Sequence, residues 1–201
     1  ALAAEQYDVR RFLNAIVPIR RDPAGRLISI GTGPSESVMR VEFTTPGPGE
    51  PDIPEGLDER ILRRLKLAQA MVRDFDAMGA EIRAVADAYF AAAAGQGGDA
   101  AMMLQEAEEL LRWLCDENYV FLAVERYDAS GEALAVLGTT RIYRAHRDLD
   151  MLQAAAKGRG RLVRYQRSVE ESPVHRAGKP GHFVVTRYSD EGQPCGTLVI
   201  H

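Results

Sequence analysis

The sequence predicts an α+β fold in three parts: a short β-rich segment, a long helical hairpin and a domain built on an antiparallel sheet. Three observations support this prediction. Short apolar runs separated by turn residues occupy residues 1–45, a proline-free stretch with helical periodicity follows, and an alternating pattern begins after Asn118. The chain has 201 residues, which is enough for one sizeable core or two small ones.

The composition is typical of a soluble globular protein, with 46% hydrophobic and 27% charged residues. A formal net charge of -4 does not provide the basic surface that nucleic acid requires, so no nucleic-acid partner is expected. No apolar run is long enough to span a membrane and no signal peptide is recognisable, which predicts a cytoplasmic protein without a membrane partner. Cys115 and Cys195 lie far apart without a CxxC motif, so neither a zinc site nor a disulfide framework is predicted.

Residues 1–45 are predicted to form an incomplete β unit. Three antiparallel strands are expected between Phe12 and Thr45, with a turn at "DPAG", where proline presets φ and glycine tolerates a positive φ. The next segment, residues 46–56, reads "PGPGEPDIPEG" and contains four prolines and three glycines. Such a composition sustains neither a helix nor a strand ladder, so we interpret it as a linker.

Residues 57–117 are predicted to form a helical hairpin. One uninterrupted helix from Leu57 to Ala94 would be about 55 Å long at 1.5 Å per residue. "GQGG" ends this helix, and Asp99 is placed to cap a second one. The first helix carries an apolar stripe with helical spacing, formed by Ile61, Leu65, Ala68, Val72, Phe75, Met78, Ile82, Val85 and Tyr89.

Residues 118–201 are predicted to form the sheet domain. Strands are expected at 119–127 and 132–137, a short helix at about 149–157, and further strands near 162–167, 182–188 and 197–201. A helix, two strands, a helical insertion and three more strands is the order found in PAS- and GAF-like sensor domains. Order alone is an analogy and does not establish a function.

Two stretches contain candidate binding residues. "RIYRAHR", Arg141 to Arg147, could hold a phosphate or an acidic partner, although a solvated edge is the alternative that we favour. In "ESPVHRAGKPG", His175 and Arg176 adjoin each other at the entry to a strand. An arginine fork and a titratable imidazole suit an amino-acid or organic-acid effector, whereas the alternative is that both residues cap loop carbonyls or contact a neighbouring domain.

Several stretches in matching order resemble the large bacterial NAD-specific glutamate dehydrogenases. "LLRWLCDENYVFLAVERYD" is similar to a family segment in which a helix ending in "WL" precedes "NFTFLG" and a strand ending in "YD". "PIRRDPAGRLISI", "ESVMRVEF", "MVRDFDAMGAEI" and "SPVHR" are similar to further family segments. The chain departs from the family at Asn14-Ala15-Ile16, where a His-Pro is common, and at Ala123, where the family has glycine.

The resemblance implies a part of the N-terminal half of such an enzyme, with an ACT-like β unit at 1–45 and a PAS-like domain at 118–201. The parent would oxidatively deaminate L-glutamate to 2-oxoglutarate with NAD. Its NAD site and catalytic residues would lie elsewhere, so no catalytic residue, cofactor or metal is expected in this segment. The partners implied are other domains and subunits of a homo-oligomeric parent, together with a possible amino-acid effector.

Three functional hypotheses follow. The first is a non-catalytic regulatory and assembly segment in which the hairpin acts as a stiff lever, because an uninterrupted helix couples its ends better than a flexible linker. The second is a PAS-like sensor that binds an amino acid through His175 and Arg176. The third is a self-standing enzyme, which predicts turnover by these 201 residues alone.

Overall fold

The structure is a computed structural model that describes residues 7–44, 55–139, 149–157, 161–168, 172, 174 and 178–201. Within these ranges the chain forms two β-sheets and four α-helices, a mixed α/β architecture. The chain divides into two compact units, residues 1–61 and residues 62–201. The boundaries expected after residues 45, 56 and 117 stay predictions.

The elements have the following bounds. The strands are β1 (Asp8–Arg21), β2 (Leu27–Thr44), β3 (Ala123–Asp128), β4 (Ala133–Gly138), β5 (Val163–Arg167), β6 (Gly181–Tyr188) and β7 (Pro194–Ile200). The helices are α1 (Leu57–Arg73), α2 (Phe75–Ala94), α3 (Gly98–Trp113) and α4 (Leu149–Ala156). A π-helical turn, Leu114–Asn118, follows α3.

The first unit contains a β-hairpin of two long strands, not the three strands that the sequence predicted. The register explains the difference, because Ile19 pairs with Ile30 whereas Pro18 pairs with Ser35. Residues 31–34 are therefore extra residues opposite a continuous β1, and the two apolar runs that flank them pair with the same strand. The predicted turn is present, since the Gly25 N–H donates to the Asp22 carbonyl at 2.9 Å.

Apolar side chains remain exposed on this hairpin. Phe12 and Ile16 lie on one face of β1 and are 57% and 72% exposed, and Met39 on β2 shares that face. A two-stranded hairpin buries little surface and is only marginally stable by itself. The face therefore has the character of a surface that packs against further protein.

Gly33 is expected to be the most sensitive position of this hairpin. Gly31 and Gly33 both have left-handed φ values, 92° and 110°, which disfavour other residues. A Cβ at Gly33 would lie 2.5 Å from the Ile19 carbonyl oxygen, whereas one at Gly31 would meet nothing within 4 Å. We expect Gly33→Ala to destabilise the hairpin by about 1–3 kcal/mol more than Gly31→Ala.

Amide hydrogen exchange across β1 and β2 would measure this difference, because both variants place alanine at a positive φ and only one carries the clash. Equal exchange rates in the two variants would contradict the steric explanation.

The long helix that the sequence predicted from Leu57 to Ala94 is interrupted, so the prediction of an uninterrupted lever is wrong. Asp74 separates α1 from α2 with φ -96° and ψ 5°, outside the helical region. The chain nevertheless keeps helical hydrogen bonds on both sides, from the Asp74 N–H to the Ala70 carbonyl at 3.1 Å and from the Met78 N–H to the Asp74 carbonyl at 2.8 Å. The interruption is therefore a local bend.

A tertiary contact explains why the bend lies at Asp74. Its carboxylate does not cap α2. Instead it accepts a hydrogen bond from the Gly138 N–H at the end of β4, at 2.8 Å, and from the Arg73 guanidinium at 2.7 Å. The Asp74 carboxylate satisfies a backbone N–H of the sheet. Because this bond fixes the position of the side chain, the backbone of Asp74 departs from helical φ and ψ.

Helices α2 and α3 pack against each other across a short connection. The second half of the predicted apolar stripe, Met78 to Tyr89, is buried there against Leu104, Ala107 and Leu111 of α3. The prediction that Asp99 caps α3 is wrong, because the N-cap residue is Gly97 and no side chain caps this terminus. Asp99 lies in the first turn, where a carboxylate still favours the helix dipole.

The second unit is organised around an antiparallel sheet with the strand order β4-β3-β7-β6-β5. Each strand that the sequence predicted after Asn118 is present, with ends shifted by a few residues. Val124, Val185 and Leu198 join the core formed with α2 and α3. Neighbouring positions in the strands face the other side, where Ala155 of α4 packs with Tyr127. Helices therefore lie on both faces of the sheet.

Candidate functional site

The structure describes the base of the loop that the sequence analysis selected, but His175 and Arg176 lie outside the described residues. The cluster from Arg141 to Arg147 also lies outside them. Two backbone hydrogen bonds close the loop base, from the Ser168 N–H to the Pro180 carbonyl and from the Ser172 N–H to the Gly178 carbonyl, each at 2.8 Å. These bonds hold the two ends of the loop beside the start of β6.

A groove of about 460 Å³ lies next to this loop base. It is formed by the chain that leads into β3, by the end of β5 and by the start of β6. Its volume falls within the range of small-molecule sites in proteins. The lining residues are Asn118, Tyr119, Val120, Leu122, Arg167, Ser172, Gly178, Lys179, Pro180 and Gly181.

The abrupt change from helix to strand after Trp113 positions one wall of the groove. Glu117 adopts a left-handed conformation, with φ 60° and ψ 11°, and ends the π-helical turn. The Asn118 side-chain amide donates to the Trp113 carbonyl at 3.0 Å, which satisfies an acceptor at the helix end. The Tyr119 hydroxyl donates to the Gly181 carbonyl at 2.7 Å and joins the turn to β6.

Aromatic packing makes this wall rigid. The ring of Phe183 lies 5.6 Å from the ring of Tyr119 and 5.1 Å from the ring of Tyr165, centroid to centroid. A side chain at Gly181 would overlap the Tyr165 ring, so glycine leaves room for this ring to lie over the start of β6. Such contacts hold the lining in one geometry before any ligand binds.

The groove is cationic. Arg167 ends β5 and pairs in register with Gly181, while Lys179 lies two positions before that glycine. Both side chains are exposed. Among the described residues that line the groove, these two carry charge and none is an aspartate or glutamate. The described part of the lining is therefore positively charged.

The carboxylate of Glu125 is buried on the α4 side of the sheet. Glu125 is 2% exposed, and the Tyr127 hydroxyl donates to its carboxylate. The Thr186 hydroxyl donates to the Ala155 carbonyl at 3.0 Å, which attaches α4 to the sheet. Buried polar groups that are hydrogen-bonded in this way specify a single packing arrangement.

Two histidines lie at one end of the same face. The His182 and His201 rings have centroids 5.4 Å apart, and His182 Nε2 lies 3.2 Å from the Gln166 side-chain oxygen. Burial lowers the pKa of His182 from its ordinary value of 6.5, so the ring is neutral near pH 7. Within the described ranges, no group of three or more histidine, cysteine, aspartate or glutamate side chains is arranged to hold a metal ion.

Sequence reasoning did not identify Arg167, Lys179 or Glu125 as site residues. Lys179 lies in the same stretch as the candidates His175 and Arg176, and its sequence context does not fit a phosphate loop. Arg167 ends a strand and Glu125 lies inside one, where a charged residue in an alternating pattern normally faces solvent. One feature of the sequence could have identified Glu125. It is a carboxylate inside a stretch that is predicted to be a strand of the sheet.

Comparison with known proteins relates the chain to part of a dehydrogenase. A scan against models of known protein families gives no match. Among curated proteins, the chain is similar to an NAD-specific glutamate dehydrogenase from Halomonas elongata, with 25% identity over 205 aligned residues. The similarity covers 91% of this chain but only 12% of the relative's length. None of the described helices has both the length and the apolar character needed to cross a membrane.

Proposed function

We propose that this chain is a non-catalytic regulatory and assembly segment of a larger NAD-dependent glutamate dehydrogenase. The parent reaction would convert L-glutamate, NAD and water to 2-oxoglutarate, ammonia and NADH. NAD would bind elsewhere in the parent, a cytoplasmic homo-oligomer. Within the segment, the hairpin of β1 and β2 would belong to an ACT-like unit, and the part after Asn118 would be a PAS-like domain.

One observation carries this proposal: similarity to the Halomonas elongata enzyme extends over 91% of the chain while covering 12% of that enzyme. A segment that matches along nearly its whole length is aligned as a unit and not through one shared motif. The order of helix, two strands, α4 and three strands supports the PAS-like assignment, since it agrees with the order expected of such sensor domains.

An unburied apolar stripe on α1 and at the start of α2 supports the assembly role. Leu65, Val72 and Phe75 continue the stripe that is buried from Met78 onwards, yet they are 46%, 76% and 52% exposed. Exposed apolar groups at helical spacing are typical of a surface that packs against another protein segment. The occupant that we propose is another subunit of the same enzyme, most of whose length would lie outside this chain.

Charge substitution on this stripe tests the assembly role. In the full-length enzyme, Val72→Glu should shift the light-scattering mass towards smaller species, because a carboxylate buried against an apolar partner is strongly unfavourable. Lys66→Glu is the control, since Lys66 is exposed on the same helix but lies off the stripe. Both variants of the isolated chain should keep the wild-type melting temperature.

Two results would contradict the proposed function. The first is an unchanged oligomer in the full-length enzyme with Val72→Glu. The second is formation of NADH when the isolated chain is mixed with L-glutamate and NAD, because a non-catalytic segment should produce none.

A further inference from the structure

We propose that helix α1 pairs with the α1 helix of a second copy of this chain, in an antiparallel arrangement about a twofold axis near Lys66. This inference rests on the assembly role proposed above, and it names the surface of the other subunit that covers the exposed apolar residues. The residues that carry it all lie in α1, and the structure describes each of them.

The exposed residues of α1 have the spacing of a helix–helix seam. Leu62, Leu65, Gln69 and Val72 are separated by three, four and three positions, and all four are exposed, Leu62 by 51%. Two helices that pack side by side use this a and d spacing. We call these four residues the α1 seam. It is about 15 Å long at 1.5 Å per residue, so one helix of the same length covers it.

A row of charged residues beside the seam indicates which helix that is. Glu59, Lys66 and Arg73 are exposed and recur every seven positions, so they lie along one side of the seam. When two copies of α1 run antiparallel, the acid at the start of this row faces the arginine at the end of the partner's row. Twofold symmetry repeats the pair. A second copy of α1 is therefore a partner of complementary charge.

The contact of Arg73 with its own chain leaves room for this ion pair. Arg73 Nε and one of its terminal nitrogens bind the Asp74 carboxylate at 2.7 and 2.9 Å. A guanidinium has five N–H groups in a planar fork, and the Arg73 side chain is 72% exposed. The partner's Glu59 can therefore bind the other edge of the same guanidinium.

Charge also favours antiparallel over parallel pairing. The antiparallel arrangement forms two Glu59–Arg73 pairs and one contact between Lys66 and the partner's Lys66, so attractive contacts outnumber the repulsive one. In a parallel arrangement the charged row would face the opposite side of the partner's seam, which carries Ile61 and Ala68. No ion pair would form there.

The seam residues match in the same arrangement. With the axis near residues 66 and 67, Leu62 lies opposite the partner's Val72, and Leu65 lies opposite the partner's Gln69. The two outer layers are apolar, whereas each central layer contains one amide. A polar residue in a seam lowers stability. We therefore expect a modest contact that acts together with the other contacts of a larger assembly.

Cysteine cross-linking in the full-length enzyme tests this pairing. On mild oxidation, Leu62→Cys/Val72→Cys should form disulfides between subunits, and peptide mass spectrometry should find residue 62 joined to residue 72. Leu62→Cys alone should not link to its own copy, because antiparallel pairing separates the two positions by about 15 Å along the helix and a disulfide needs Cα atoms within about 7 Å. The wild-type enzyme, oxidised in the same way, controls for Cys115 and Cys195.

Charge exchange tests the flanking row independently. Glu59→Arg and Arg73→Glu should each raise the subunit dissociation constant at least threefold, as measured by light scattering on dilution of the full-length enzyme. Glu59→Arg/Arg73→Glu should return to within a factor of two of the wild type, because it restores opposite charges in both pairs. A variant that only misfolds would not recover in this way.

Lys66→Glu is the matched control for the charge exchange. It replaces one contact between like charges with another, so it should change the dissociation constant by less than twofold. An effect as large as that of Glu59→Arg would contradict the position of the axis and overturn the pairing.

Three further outcomes would overturn the pairing. They are a cross-link of Leu62→Cys to its own copy, which would indicate parallel helices, the absence of a link between residues 62 and 72, and failure of the combined charge variant to recover. If Val72→Glu still reduces the mass in these cases, the assembly role stands and the partner surface is wrong. An unchanged oligomer with Val72→Glu would instead overturn both.

Discussion

Replacing Tyr89 with alanine should lower the free energy of unfolding of the second unit by about 3–5 kcal/mol, as for other large buried aromatic residues. Tyr89 is fully buried in the core between α2 and the sheet, and its ring meets that of Tyr188 edge to face at 5.6 Å. Its hydroxyl donates to the Thr186 carbonyl at 2.5 Å. Truncation removes both the packing and the bond between helix and sheet.

Tyr89→Phe separates these two contributions. It keeps the ring but leaves the Thr186 carbonyl without this donor, which should cost about 1–3 kcal/mol. Phe90→Ala is the matched control, because the neighbouring Phe90 is 67% exposed and its loss should change stability by less than about 0.5 kcal/mol. Urea unfolding followed by circular dichroism measures all three variants. A loss for Phe90→Ala as large as that for Tyr89→Ala would contradict the burial assigned to this core.

Alkaline pH provides an independent measure of the Tyr89 contribution. Burial raises the pKa of Tyr89 well above its ordinary value of 10.0, so the folded protein keeps a proton that the unfolded chain loses. The contribution to stability is complete below about pH 10 and decreases as pH rises beyond it. Tyr89→Phe should therefore unfold less steeply above pH 10 than the wild type.

Replacing Asp74 with alanine should destabilise the second unit by about 1–3 kcal/mol, since the Gly138 N–H loses its acceptor. Arg73→Gln is the control for the ion pair, because Arg73 is largely exposed and an exposed pair contributes at most about 1 kcal/mol. The Asp74→Ala effect should exceed the Arg73→Gln effect. Equal effects would show that the bond to Gly138 adds nothing, and would contradict the origin of the helix bend proposed above.

Acidic pH tests the same contact. The hydrogen bonds from the Arg73 guanidinium and the Gly138 N–H lower the pKa of Asp74 from 3.8 to about 2. A carboxyl group with a lowered folded-state pKa stabilises the protein above its unfolded pKa, and this contribution is lost as pH falls through the folded value. Wild-type stability should therefore decrease between about pH 4 and pH 2 by more than that of Asp74→Ala, when both are followed by thermal unfolding.

Local patterns in the sequence were sufficient to predict most of the elements. The stretches "VFLAVERYD" and "HFVVTRY" are short and rich in β-branched and aromatic residues, and both contain strands of the sheet. The helical spacing from Met78 to Tyr89 predicted a buried helix face, and the structure buries it. These predictions hold because the period of a strand or helix is visible in residues that are neighbours in sequence.

Two of the errors share one cause, which is dependence on residues far apart in the chain. The bend at Asp74 follows from a hydrogen bond to Gly138, and the merger of two predicted strands into β2 follows from their pairing with the same strand β1. The prediction of a ligand site at His175 and Arg176 stays a prediction. The groove beside the base of that loop could not be predicted from local sequence, because Arg167 reaches it through the pairing of β5 with β6.

The sequence by itself determined where helices and strands occur after Asn118, which helix face is apolar, and the likeness to part of a glutamate dehydrogenase. Only the tertiary structure decided the strand order, the division of the long helix and the residues that line the groove. The physical reason is that periodicity and turn chemistry act over a few consecutive residues. Pairing register and charge proximity are instead set by contacts between residues that the fold brings together.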